Sequence, residues 1–115
     1  MYLGQLNITH WNLRNPAQID EMVQTILEGG VLPPIHLLEL PDGMILIQDG
    51  HHRSLAYWLS GREWLEYGEF ILFQVEHSNR HPRGNLEDLR RWVFREGGRI
   101  IGLGPCPCSG VTGFV

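Results

Sequence analysis

Side chains able to do chemistry crowd together in Asp49-Gly50-His51-His52-Arg53-Ser54. A strand-like apolar run, Met44 to Ile47, leads into this stretch, and a helical pattern from His52 to Ser60 leads out of it. A strand that turns directly into a helix leaves backbone N–H groups without partners, and the helix dipole adds partial positive charge at the same end. Such an end attracts anions, phosphates above all, and glycine lets a ligand come close to the backbone. Cations are favoured at the opposite end of a helix, so His51, His52 and Arg53 conflict with the dipole unless an anion sits among them. The stretch therefore reads as a phosphate cradle in which Gly50, His51, His52, Arg53 and Ser54 hold the anion. Asp49 is placed near a metal, and Asp49 and His51 are the catalytic candidates. The plainer alternative is a strand–helix turn in which Asp49 caps the helix and Arg53 pairs with a carboxylate.

In a cradle of this kind Arg53 is expected to outweigh either imidazole, because a guanidinium stays charged at any working pH. Histidines with an ordinary pKa of about 6.5 are partly protonated at neutrality, so affinity is expected to rise as the pH falls from about 8 to about 6.

Two other groupings carry possible chemistry. Arg80, Arg83, Arg90, Arg91, Arg95 and Arg99 form a basic stripe that could meet nucleic-acid phosphates, a protein partner or the acidic part of a second copy. The alternative is a solvated face diluted by Glu87, Asp88 and Glu96. His77, His81, Cys106 and Cys108 offer two imidazoles and two thiols, the donor set of a tetrahedral zinc site. The Cys-x-Cys spacing and Pro82 beside His81 argue against it, so no metal is assigned there. Trp58, Trp64 and Trp92 are expected to pack the core rather than stack bases.

The elements that must position these residues emerge from periodicity. Leu3 to Ile8 alternates loosely, as an edge strand would. Asn15 is expected to cap a helix with Pro16 in its first turn, and Ile19, Met22, Val23, Ile26 and Leu27 form its apolar stripe. Gly29-Gly30 ends it. Pro33-Pro34 holds the chain extended into a strand, Ile35 to Leu40, and Pro41-Asp42-Gly43 turns it back into Met44 to Ile47. The central helix comes next and stops near Gly61. Glu69 to Glu76 reads as a strand and Ser78 to Gly84 as a loop. Asn85 then caps a last helix bearing Leu86, Leu89, Arg90, Val93 and Phe94 on one face. The order of strand, helix, hairpin, helix, strand and helix predicts an α+β domain over 1–98, a small mixed sheet packed with three helices. The remaining 99–115 reads as a Gly/Pro/Cys-containing tail.

At 115 residues, 43% apolar and 19% charged, the chain suits one soluble core. No apolar run approaches the roughly 18–20 residues that span a membrane, and no leader pattern is visible, so a cytoplasmic protein is expected. The net charge of −4 is unevenly spread. Residues 1–77 hold three Arg against ten acids, whereas residues 78–115 hold six Arg against three. There is no Lys, which excludes a P-loop or Schiff-base mechanism.

Asn15-Pro16-Ala17-Gln18-Ile19, then Pro33-Pro34-Ile35, the hairpin and Gly50-His51-His52-Arg53 together resemble the ParB/sulfiredoxin superfamily. The resemblance covers about residues 5–96, and Asn85-Leu86-Glu87-Asp88-Leu89-Arg90 is similar to a later sulfiredoxin segment. Asp-Gly-His-His-Arg looks more like the loop of the superfamily's free-serine kinases, and the Gly-x-x-Arg core with Ala56 is shared with ParB partition proteins. The resemblance implies a site for a nucleoside triphosphate, ATP or CTP, with Mg²⁺. His52 and Arg53 would hold phosphates, and Thr25 would assist from the first helix. Gln18 and Glu21 stand where sulfiredoxins carry Lys and Ser. His51 replaces the sulfiredoxin cysteine, so sulfinic acid reduction is excluded, because imidazole cannot form its sulfur intermediates. Nucleotide hydrolysis or phosphotransfer remains, although Thr9 to Asn15 lacks the acid that the serine kinases carry there. A regulatory or phage-type accessory protein, binding DNA or protein through the Arg stripe, is the alternative.

Overall fold

The computed structural model describes residues 1–13 and 15–96, the side chains of 95 and 96 excepted. The expected tail, its Cys106 and Cys108, and the Arg95 and Arg99 side chains lie outside the described residues. Among the described residues, three helices and a four-stranded mixed sheet make the α+β fold that the periodicity predicts. No helix among the described residues is long and apolar enough to cross a membrane.

The first helix, α1 (Ala17–Leu27), follows its apolar stripe: Ile19 and Val23 are buried, Met22 and Ile26 partly so, and only Leu27 falls outside. Asn15 does not cap it with its side chain. The entry is held instead by the Asn15 carbonyl, which accepts the Gln18 N–H at 3.0 Å. The expected strand from Leu3 is mostly a 3-10 turn, Leu3–Gln5, leading into the short β1 (Leu6–Asn7). Leu3, Leu6 and Ile8 are all fully buried, a spacing that one extended strand could not direct to one side.

β2 (Ile35–Glu39) and β3 (Ile45–Asp49) form the expected hairpin. Asp42 closes its turn by accepting the Met44 N–H at 2.9 Å. β1 lies parallel to β3 at one edge of the sheet, and β4 (Phe70–Gln74) lies parallel to β2 at the other, giving the order β1-β3-β2-β4. Near its end β3 slips: His36 pairs with Asp49 and Leu37 with Ile47, which leaves Gln48 as an extra residue. Such an extra residue bends the strand and re-aims the chain beyond it. Here it re-aims Gly50 and the second helix, α2 (His51–Leu59).

α2 packs against α1 and against α3 (Leu86–Glu96). Leu55, Ala56 and Leu59 of α2 join Ile19, Val23, Ile35, Leu37, Ile45, Ile47, Leu86 and Leu89 in one apolar cluster. Fully burying one such leucine or isoleucine contributes roughly 1.5–3 kcal/mol, so this cluster fixes the direction in which α2 points. Asn85 caps α3 as expected, its Oδ1 accepting the Asp88 N–H at 2.9 Å while Asp88 accepts the Asn85 N–H at 3.0 Å. Trp58 joins the core edge and donates to Glu87 at 2.9 Å, whereas Trp64 is 60% exposed beside Tyr2, contrary to the expectation of burial.

Candidate functional site

The turn into α2 is built on Gly50, whose φ of 110° lies in the left-handed region. A β-carbon there would be strained, and would come within 3.2 Å of Ile35 Cγ2 and the Arg53 guanidinium. Gly50 also stands at the helix N-cap without any side-chain cap, so Asp49 does not cap the helix. The first intrahelical bond runs from the Ser54 N–H to the Gly50 carbonyl, 2.8 Å. The N–H groups of His51, His52 and Arg53 precede it and are the open donors of this end.

A cleft of about 740 Å³ opens over this turn. Its lining comes from four places in the chain: His10 and Asn12 after β1, Gln18 and Met22 on α1, Gln48 to Arg53 at the β3–α2 junction, and Arg80 beyond β4. The size falls within the range of small-ligand sites. In sequence Arg80 reads as part of a surface stripe, and its place here depends on tertiary structure that its spacing could not show. Its guanidinium has no hydrogen bond or ion pair among the described residues.

Arg53 is committed elsewhere. Its Nη1 donates to the carbonyls of Pro34 at 2.7 Å and Pro33 at 3.1 Å, and its Nη2 pairs with Asp49 at 3.1 Å. Two of the segments on which the family resemblance rests, Pro-Pro-Ile and Gly-x-x-Arg, thus meet in space through one guanidinium. The Arg53 side chain is 15% exposed and that of Asp49 67%, so the carbonyl bonds outweigh the ion pair.

The two histidines also have partners. His51 is 3% exposed, and its Nε2 accepts the Thr9 N–H at 3.0 Å. The Thr9 hydroxyl donates instead to the Ile47 carbonyl, also at 3.0 Å. His52 Nε2 accepts the Asn15 N–H at 3.2 Å. A nitrogen that accepts carries no proton, so both rings hold theirs on Nδ1. Burial, then the neighbouring charges of His10, Arg80 and His52, push His51 down to about 3, with Asp49 opposing. Burial, His10 and Arg53 lower His52 as well. Neither imidazole is therefore the cation expected from the sequence, and for these two rings the conflict with the helix dipole is removed by neutrality. With both rings lowered, these side chains no longer supply a reason to expect an anion to tighten between about pH 8 and about pH 6.

Thr25 lies outside the cleft lining, its hydroxyl bonded to the Glu21 carbonyl at 3.0 Å. Ser54 is fully buried and also outside that lining. Of the stripe, Arg90 is turned inward, buried and paired with Glu87, which its hydrogen bonds to Arg90 hold below the usual carboxylate range. Arg91 pairs with Glu87 at 3.6 Å and Arg83 is exposed, so these arginines do not form one free basic face. His77 and His81 are exposed. No group of three or more metal-ligating side chains gathers among the described residues.

Compared with protein-family models, curated proteins and solved structures, the chain finds no match in any of the three.

Proposed function

We propose that the cleft binds the phosphate end of a nucleotide, ATP or CTP in type, and that binding rather than turnover is its principal work. The observation that carries this reading is the Arg80 guanidinium, unpaired among the described residues, sharing one cleft with the open N–H groups at the start of α2. The neutral rings would add Nδ1–H donors without adding charge.

Asp49 is the one carboxylate among the described residues that line the cleft. A single carboxylate together with ligand phosphates is a common way to hold Mg²⁺, whose role would be to neutralise phosphate charge. Catalysis by His51 does not fit this geometry, since its accepting nitrogen is occupied. His10 is the imidazole at the cleft with no hydrogen bond to the described residues, which leaves its ring available to bond a ligand. The resemblance to the ParB/sulfiredoxin superfamily supports a nucleotide over a simple anion. The inward turn of Arg90 weakens the alternative of an accessory protein that docks through its arginines.

Calorimetry with sulfate, Mg-ATP and Mg-CTP tests this. Losing a charged donor costs about 1.5–3 kcal/mol, so Arg80→Ala should weaken binding by about tenfold or more. Arg83→Ala, exposed and outside the cleft lining, should leave it unchanged. Absence of binding to all three at millimolar concentration sinks the reading.

A further inference from the structure

His51 and His52 are neighbours on one helix turn, yet their Nε2 atoms accept backbone N–H groups from the two ends of a single segment, Thr9 and Asn15. That segment carries His10 and Asn12 into the cleft, and the His10 ring stacks on His51 with centroids 3.8 Å apart. Imidazole accepts a hydrogen bond only while the nitrogen is unprotonated. We infer that His51 and His52 are positioning residues, a pair of imidazole acceptors that strap Thr9 and Asn15 to the start of α2, the Asn15 end letting go when His52 takes up a proton. They act through the segment, and so on His10 and Asn12, rather than by contributing charge to a ligand.

The surroundings of the two rings differ. His51 faces His10 from the segment, Arg80 from beyond β4, His52 on its own helix and Asp49 at the end of β3. His52 faces His10 and Arg53 and is less buried. His51 is the more deeply buried ring. The Asn15 end, held by the less buried ring, is therefore the end that lets go as the pH falls. The strap stands on its own hydrogen bonds. Its effect on a ligand rests on the anion reading, and the two can fail separately.

Amide hydrogen exchange at Thr9 and Asn15, followed by NMR across pH, reads the strap without any ligand. Gln presents an Oε1 acceptor near the place of Nε2 and does not titrate, which makes His52→Gln the rescue and His52→Ala the loss. As the pH is taken down below the ordinary imidazole value of about 6.5, wild-type Asn15 should lose about tenfold in protection beyond the intrinsic change, roughly one hydrogen bond. His52→Gln should keep that protection flat, and His52→Ala should lack it at every pH. Ring ¹⁵N shifts should show the Nδ1–H tautomer for both histidines. An Asn15 amide indifferent to His52→Ala, or a His52→Gln protein with the wild-type pH trend, overturns the strap. Sulfate titrations of the same proteins then report on the cleft alone. With the strap confirmed by exchange, sulfate affinity that does not track strap release removes only its link to the ligand.

Discussion

Acid should destabilise this protein well before its carboxylates are protonated, and one buried ring should account for most of the slope. His51 is held at about 3 in the folded chain, against 6.5 for the free side chain. The folded value is the lower one, so the unfolded chain takes up the proton first. The His51 contribution is fully present above about pH 6.5 and is lost progressively as the pH falls towards about 3. The slope for one such group is roughly 1.4 kcal/mol per pH unit, so about 2 kcal/mol should be gone by about pH 5. His51 is 3% exposed, and solvent does little to screen the effect. His51→Gln keeps an acceptor for Thr9 and does not titrate, so its stability should fall less steeply over that window, with only His52 and the carboxylates left to contribute. Urea denaturation at a series of pH values gives both slopes directly. Equal slopes in the two proteins would mean that His51 is charged when folded.

Arg53→Ala should lower folding stability by about 3 kcal/mol, because hydrogen bonds from a charged donor are worth roughly 1.5–3 kcal/mol each and two carbonyls lose theirs. Those carbonyls belong to Pro33 and Pro34 and hold the entry of β2 against the start of α2. Lys carries its charge on a single nitrogen and cannot reach the two carbonyls and Asp49 together as Nη1 and Nη2 do, so Arg53→Lys should recover only part of the loss. Asp49→Asn should cost less than about 1 kcal/mol, since that partner is largely solvated. Thermal melts of the three variants rank them. A large loss in Asp49→Asn with little in Arg53→Ala would reverse the assignment. The same geometry makes Arg53→Ala a poor probe of ligand affinity, for which Arg80→Ala is the clean variant.

Local pattern carried much of the fold. The stripe of α1, the Pro41-Asp42-Gly43 turn and the Asn85 cap each depend on residues a few positions apart, and each stands where periodicity and turn chemistry put it. Leu3 to Ile8 misleads because burial there reflects a 3-10 turn joined to a two-residue strand, and the mixed spacing mimics loose alternation. The Gly50–Arg53 turn was legible as the mouth of a cleft, while the roles of its side chains were not. Residue type shows that Arg53 is a fork but not that Pro33 and Pro34 already occupy it. It shows two imidazoles but not which nitrogen accepts. Arg80 and Arg90 look alike in sequence, and only tertiary packing sends one to the cleft and the other beneath Glu87.

The strap also bears on time. The hairpin, α1 and the Arg53 clamp, which spans 19 residues to Pro34, are comparatively local and can form early. The Thr9–His51 bond spans 42 residues, and Ile8 meets Gly84 from still further along the chain. Closing such loops is the slow part of folding, so the cleft is expected to be complete only after the main barrier is crossed. A ligand that recognises the finished cleft has nothing to hold in the transition state. Sulfate should therefore slow unfolding and leave the refolding rate nearly unchanged, moving one arm of the chevron and not the other.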